Sequence, residues 1–83
     1  MIRIRNTQFY PYLYARKKVV NKDAWGFHGH VWRTADHVAA FFKMLGKDIC
    51  YERFGGAQIV EYHDDKAPTI TPALDLLNAL FVE

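Results

Sequence analysis

The sequence of 83 residues contains no serine, and its single cysteine is Cys50. Without serine there is no serine nucleophile, and one cysteine excludes an internal disulfide and a multi-cysteine zinc site. No apolar run approaches the ~18 residues that cross a bilayer, and residues 1–14 lack the apolar stretch of a signal peptide. We therefore expect a single compact domain over residues 1–83, in the cytoplasm and without membrane contact.

Charge is distributed unevenly along the chain. Residues 1–33 contain seven lysines or arginines and one acidic residue, whereas residues 34–83 contain four basic and eight acidic residues. The net formal charge of +2 hides this division. A basic half favours a polyanionic partner, so the expected partner is nucleic acid or a nucleic-acid-handling protein.

The first half predicts a strand, a hairpin and a helix. Isoleucine and arginine alternate over residues 2–5, which indicates a strand, and residues 12–20 and 24–33 are rich enough in aromatic and β-branched residues for a hairpin. Thr34 is expected to cap a helix over residues 35–45, whose apolar positions have helical spacing. Gly46 is suited to the end of that helix.

The second half predicts another hairpin and another helix. Gly55-Gly56 indicates a tight turn between strands at residues 48–54 and 57–63. Residues 66–70 are expected to form a loop, and Thr71 followed by Pro72 is typical of a helix start. The predicted fold class is therefore α+β: a small antiparallel sheet, in the order hairpin, helix, hairpin, helix, with two helices packed on one face.

The register of the first hairpin decides which side chains face the solvent. A three-residue turn places Leu13 opposite Val31, and burial then favours a sheet core of Leu13, Val19, Trp25, Phe27 and Val31. The opposite face would collect tyrosines, bases and histidines, extended by the basic positions of the first strand. The predicted binding residues on it are Arg3, Arg5, Tyr12, Tyr14, Arg16, Lys18, His28, His30 and Trp32.

Exposed aromatic rings between positive charges suit nucleic acid, because bases stack on rings while Arg and Lys contact phosphates. The same residue types also form hot spots for protein partners. The leading hypothesis is a small binding protein for nucleic acid or a nucleoprotein. The alternative is an inhibitor or adaptor that binds and blocks a host protein.

No constellation of catalytic residues is present, so we expect a non-enzymatic protein without a cofactor. His28 and His30 have the spacing of metal ligands on one strand face, and a His-based metal-binding domain is a further alternative. A third ligand would have to come from His37, Glu61, His63 or Asp64. Cys50 is expected to be inert.

Residues 12–42, with a basic hairpin followed by the Thr34-capped segment VWRTADHVAAFF, resemble the strand–strand–helix unit of AP2-type and phage-integrase arm-binding DNA modules. That resemblance implies a small antiparallel sheet in the major groove. The small, aromatic-rich chain also looks like the one-domain phage proteins that inhibit host defence enzymes, including anti-CRISPR proteins. The oligomeric state stays open, and exposed edges at residues 2–5 or 58–62 would favour a homodimer.

Overall fold

The computed structural model describes residues 1–8, 10–17 and 24–82, and it confirms the α+β fold. Within those residues one antiparallel sheet has the strand order β3-β2-β1-β4-β5. The strands are β1 (Ile2–Arg5), β2 (Tyr14–Ala15), β3 (Trp25–Gly26), β4 (Gln58–Glu61) and β5 (Thr69–Pro72). The helices are α1 (Ala35–Leu45), α2 (Lys47–Phe54) and α3 (Ala73–Leu80). In this part of the chain no helix is long and apolar enough to cross a membrane.

β1 is the central strand of the sheet, and its side chains alternate between the two faces of the sheet. Ile2 and Ile4 are fully buried beneath the helices, whereas Arg3 and Arg5 point to the other side. β4 pairs with all four residues of β1, so neither strand is an edge. The predicted homodimer edges at residues 2–5 and 58–62 are therefore wrong, because the edges of the described sheet are β3 and β5.

α1 forms as predicted, with both of its ends specified locally. Thr34 accepts a hydrogen bond from the backbone N–H of His37, and Asp36 lies in the first turn, where its charge complements the helix dipole. Gly46, with a positive φ of 92°, ends the helix and donates its N–H to the Phe42 carbonyl. The buried stripe is Val38, Phe41, Phe42 and Leu45.

α2 lies where a strand was predicted, and residues 48–54 are therefore a correction. Cys50 and Phe54, four residues apart, share one helical face and are fully buried. The Gly55 N–H donates to the Tyr51 carbonyl, so the glycine pair ends a helix and makes no hairpin turn. Burial of Cys50 and Phe54 in the core overrides the local turn preference.

The second hairpin consists of β4 and β5, with Val60 opposite Ile70. Residues 66–68 form a loop as expected, but Thr69 and Ile70 belong to β5. The predicted cap at Thr71 is wrong, because Thr71 pairs with Ile59 in the sheet. Pro72 ends the edge strand, where a missing N–H is tolerated, and α3 follows directly. α3 has the predicted apolar stripe, with Leu77 fully buried.

The first hairpin differs from the predicted register by four residues. Tyr14 lies opposite Gly26, and Ala15 lies opposite Trp25. An even shift preserves the alternation of faces, so Ala15 and Trp25 point towards the helices as expected. Val19 lies outside the described residues.

The alternation does not continue to Trp32. Gly29 has a positive φ of 61°, and beyond it the chain passes beside β1, where Trp32 and Ile2 exchange both backbone hydrogen bonds. Residues opposite each other share a face, so Trp32 enters the core with Ile2. The predicted core positions Phe27 and Val31 are instead exposed.

Candidate functional site

The face of the sheet away from the helices, here called the open face, is basic and aromatic. The register assigns Arg3, Arg5, Tyr14 and Val60 to it. Alternation along β2 and β4 adds Tyr12, Arg16, Gln58 and Tyr62. No aspartate or glutamate from the described strands belongs to this face, because Glu61 lies opposite Ile2 on the helix side.

Arginine and tyrosine side chains stack in pairs on the open face. The guanidinium carbon of Arg3 lies 5.1 Å from the ring centroid of Tyr14 and 5.8 Å from that of Tyr62. The Arg5 carbon lies 4.8 Å from the Tyr12 centroid. Both arginines are thus within the range of favourable cation–π contact, which restricts their positions.

Two further contacts order the same face. Arg5 donates from Nε and Nη2 to Oε1 of Gln58, at 3.2 and 2.6 Å. The ring of Tyr10, itself 89% exposed, meets the Tyr12 ring edge to face at 5.8 Å. A cation and two accessible rings therefore lie side by side near the Arg5 end of β1.

Arg16 extends the basic surface towards the β3 edge. Its guanidinium lies over Gly26, where an added Cβ would come within 2.6 Å of Nε. Glycine at this position therefore leaves room for the side chain to lie across the strand.

Tyr62 keeps its proton at neutral pH. Burial, followed by the neighbouring Tyr14, raises the pKa of the Tyr62 hydroxyl, and the positive charge of Arg3 opposes the shift only in part. The protonated hydroxyl is hydrogen-bonded to Tyr14 and Arg3 and so connects these two side chains on the open face.

Five of the nine predicted binding residues come together on the open face, and these are Arg3, Arg5, Tyr12, Tyr14 and Arg16. Lys18 lies outside the described residues, and His28 is exposed in the turn after β3. Trp32 is only 3% exposed, so its predicted place on a solvent face is wrong. Gly29 breaks the alternation on which that expectation depended.

Tyr62 and Gln58 were not among the predicted site residues, although Tyr62 contacts Arg3 and Gln58 contacts Arg5. Residues 58–62 were expected to form a strand, but their partner was taken to be residues 48–54. The alternation of Gln58, Val60 and Tyr62 was visible in the sequence. Their position next to β1 was not, because that pairing joins segments more than fifty residues apart.

His30 lies apart from the open face, in a cavity beside α1. Its ring meets the Trp32 ring edge to face at 4.7 Å. Burial lowers the pKa of His30, and the neighbouring Lys17 ammonium lowers it further. The neutral imidazole is therefore the favoured form at pH 7.

Among the described residues no three His, Cys, Asp or Glu side chains lie close enough together to hold a metal ion. Cys50 is fully buried, and its Sγ donates to the Phe42 carbonyl at 3.1 Å. Burial raises the pKa of this thiol to about 11. Such a group is a poor nucleophile at neutral pH.

Comparison of the chain with protein-family models, with curated proteins and with solved structures gives no match. The resemblance to AP2-type and integrase arm-binding modules gains no support from these comparisons.

Proposed function

We propose that the open face binds single-stranded nucleic acid. Tyrosine rings serve as stacking platforms for bases, while Arg3, Arg5 and Arg16 contact phosphates. The observation that carries this proposal is the stacking of Arg3 and Arg5 on tyrosine rings, on a face to which the described strands contribute no acidic side chain.

The stacked arrangement prepares the arginines for an anion. A guanidinium that lies on a ring keeps its N–H donors in its own plane, so a phosphate can be bound without breaking the stack. Because the rings already restrict the side chains, less conformational entropy is lost when a strand binds. The Gln58 contact restricts Arg5 in the same way.

Single strands fit this face better than duplexes. A base can stack on a tyrosine only when its own face is free, and duplex bases are stacked on one another. Tyr10 and Tyr12 are the rings with the most exposed surface here, at 89% and 40%. They lie next to Arg5, so one nucleotide can place its base and its phosphate on adjacent groups.

Fluorescence anisotropy with a labelled 12-nucleotide single strand, and with a duplex of the same length, tests the proposal. Three phosphate contacts to a single strand predict a log–log salt slope of roughly −2. Removal of one stacking ring in Tyr12→Ala should weaken binding by about 1–3 kcal/mol, since that is the usual contribution of one stacked base.

Lys43→Ala is the matched control. It also removes one positive charge, but Lys43 is an exposed residue of α1, which packs on the side of the sheet opposite the open face. Arg3→Ala should weaken binding about tenfold and reduce the salt slope by roughly 0.7, while Lys43→Ala stays within twofold of wild type. Equal losses in the two variants, or equal affinity for strand and duplex, would contradict the proposal.

A second candidate function is binding of a protein strand at β5. All four residues of this edge strand are exposed, and Ile70 remains 48% exposed. An unpaired edge strand can form backbone hydrogen bonds with a strand of a partner. An inhibitor or adaptor could bind its target protein in this way. Ile70→Lys should abolish capture of such a partner, whereas Tyr12→Ala should not, and the reverse result would exclude β5.

A further inference from the structure

A cavity of about 340 Å³ lies on the helix side of the molecule. This volume is at the lower end of the ~300–1,000 Å³ typical of small-ligand pockets. Trp32 and Phe41 contribute aromatic wall, and Ala40 and Met44 of α1 contribute aliphatic wall. The cavity therefore offers an apolar surface large enough for one planar ring system.

The polar residues around the cavity are all basic. Lys17, His30, Arg33 and His37 line it, and no acidic residue of residues 1–8, 10–17 and 24–82 does. In the described part of the chain neither Lys17 nor Arg33 forms a salt bridge, and Nδ1 of His37 is hydrogen-bonded to Oγ1 of Thr34 at 2.7 Å. The two fixed cations, Lys17 and Arg33, lie around a concave surface and produce a local potential that attracts an anion.

The wall also contains an unused hydrogen-bond donor. Trp32 is 3% exposed, and its indole Nε1 has no hydrogen-bond partner among the described residues. Buried polar groups in proteins are almost always paired, so an unpaired one requires an explanation. An acceptor on a ligand placed beside the indole would supply the missing partner of Nε1.

The cavity is continuous with the basic edge of the open face. A shallower depression of about 260 Å³ is lined by Arg16, Lys17, Gly29 and His30, and so shares Lys17 and His30 with the cavity. Gly29 lets the chain pack closely on Tyr14 at this point, because an added Cβ would lie 2.5 Å from Cβ of Tyr14. A phosphate-bearing chain on the open face has a basic path to the cavity.

We propose that this cavity binds a nucleoside phosphate monoester, with the base against Phe41 and Met44 and the phosphate between Lys17 and Arg33. The same chemistry has two sources, a free mononucleotide and the phosphorylated end of a strand. The second source rests on the proposed function of the open face, whereas the first is independent of it.

Two-dimensional NMR of the ¹⁵N-labelled full chain tests the site, because the sequence has only two indole N–H groups, those of Trp25 and Trp32. Titration with AMP should shift the Trp32 indole signal and leave that of Trp25 in place, with Trp25→Phe used to assign the pair. Adenosine should bind at least tenfold more weakly than AMP, because it lacks the phosphate.

Arg33→Ala should reduce the affinity for AMP at least tenfold, and Lys66→Ala, in the loop between β4 and β5, should leave it within twofold. Both positions are exposed, so neither change disturbs the core. Equal affinities for AMP and adenosine, or equal effects of the two variants, would overturn the proposal.

A 12-nucleotide strand with and without a 5′-phosphate distinguishes the two sources. Tighter binding of the phosphorylated strand, lost in Arg33→Ala, supports the strand end. Binding of AMP with no difference between the strands supports the free mononucleotide. If neither AMP nor the 5′-phosphate has an effect, the cavity proposal fails, while retention of unphosphorylated strand binding that depends on Arg3 leaves the open-face function intact.

Discussion

On the helix side of the sheet the rings of Trp32, Phe41 and Phe54 pack against one another, with successive centroids 5.0 and 6.1 Å apart. On the open side the rings of Tyr12 and Tyr14 pack against arginines. Trp32, Phe41 and Phe54 exclude water and stabilise the fold, whereas Tyr12 and Tyr14 lie on the open face and position cations. These two sets of rings therefore have different expected responses to mutation.

Phe42→Ala should have the largest effect on the helix side. Phe42 is fully buried and contacts Phe41 and Phe54, with centroids 6.1 and 5.2 Å away. Loss of a buried phenylalanine costs about 3–5 kcal/mol through lost burial and the cavity left behind. Urea denaturation followed by circular dichroism measures this loss, and a change below about 1 kcal/mol would contradict the assignment of Phe42 to the core.

Cys50 gives the helix side a pH dependence. Since folding raises the pKa of the thiol from 9.0 to about 11, the neutral thiol is favoured in the folded state. Its contribution to stability is complete below pH 9 and is lost as the pH rises from 9 through 11. The free energy of unfolding should fall over that range more steeply in wild type than in Cys50→Ala, and parallel curves would contradict the burial of the thiol.

Gly29→Ala tests the role of Gly29, where the alternation of side chains between the two faces is interrupted. The positive φ disfavours any side chain, and the new Cβ would meet the Tyr14 Cβ at 2.5 Å. We expect a loss of about 1–3 kcal/mol and a red shift of Trp32 emission as its burial is disturbed. Gly46→Ala is the control, because its φ is also positive but an added Cβ meets nothing within 4 Å. Equal losses would show that backbone strain alone matters at Gly29.

Arg3→Ala should have the smallest effect on stability. A partly exposed cation–π contact contributes about 0.5–1 kcal/mol, so the unfolding midpoint should move little. Binding of a single strand should fall about tenfold in the same variant, so its affinity and stability respond differently. If thermal unfolding shows a loss comparable to that of Phe42→Ala, the arginine is part of the structural core and the comparison between the faces fails.

Local signals predicted the elements whose ends and faces are specified within a few residues. Thr34 and Gly46 define α1, and the alternation of β1 identifies its buried and exposed residues correctly. The faces of the side chains in the first hairpin were predicted correctly although the register was wrong by four residues, because an even shift keeps each side chain on its face. Five residues of the open face were therefore predicted together.

Long-range pairing and backbone breaks were not predictable in this way. The residues next to Cys50 and Phe54 in the sequence do not show that these two side chains are buried by a helix that packs on the core, and not by a strand that pairs in the sheet. Pro68 and Pro72 argue locally against a strand, yet β5 lies at an edge where proline is tolerated. The interruption of the alternation at Gly29 depends on where the chain pairs with β1, and because of it Trp32 lies on the helix side and not on the open face.

The central position of β1 has a consequence for how the molecule assembles. Ile2 lies opposite Glu61, so the middle of the sheet joins an early segment to one that follows it by most of the chain. Contacts of such separation slow folding, because a large loop must close before they form. During synthesis the two isoleucines of β1 therefore remain without their β4 partners until β4 has left the ribosome, and apolar surface that is exposed in this way favours aggregation.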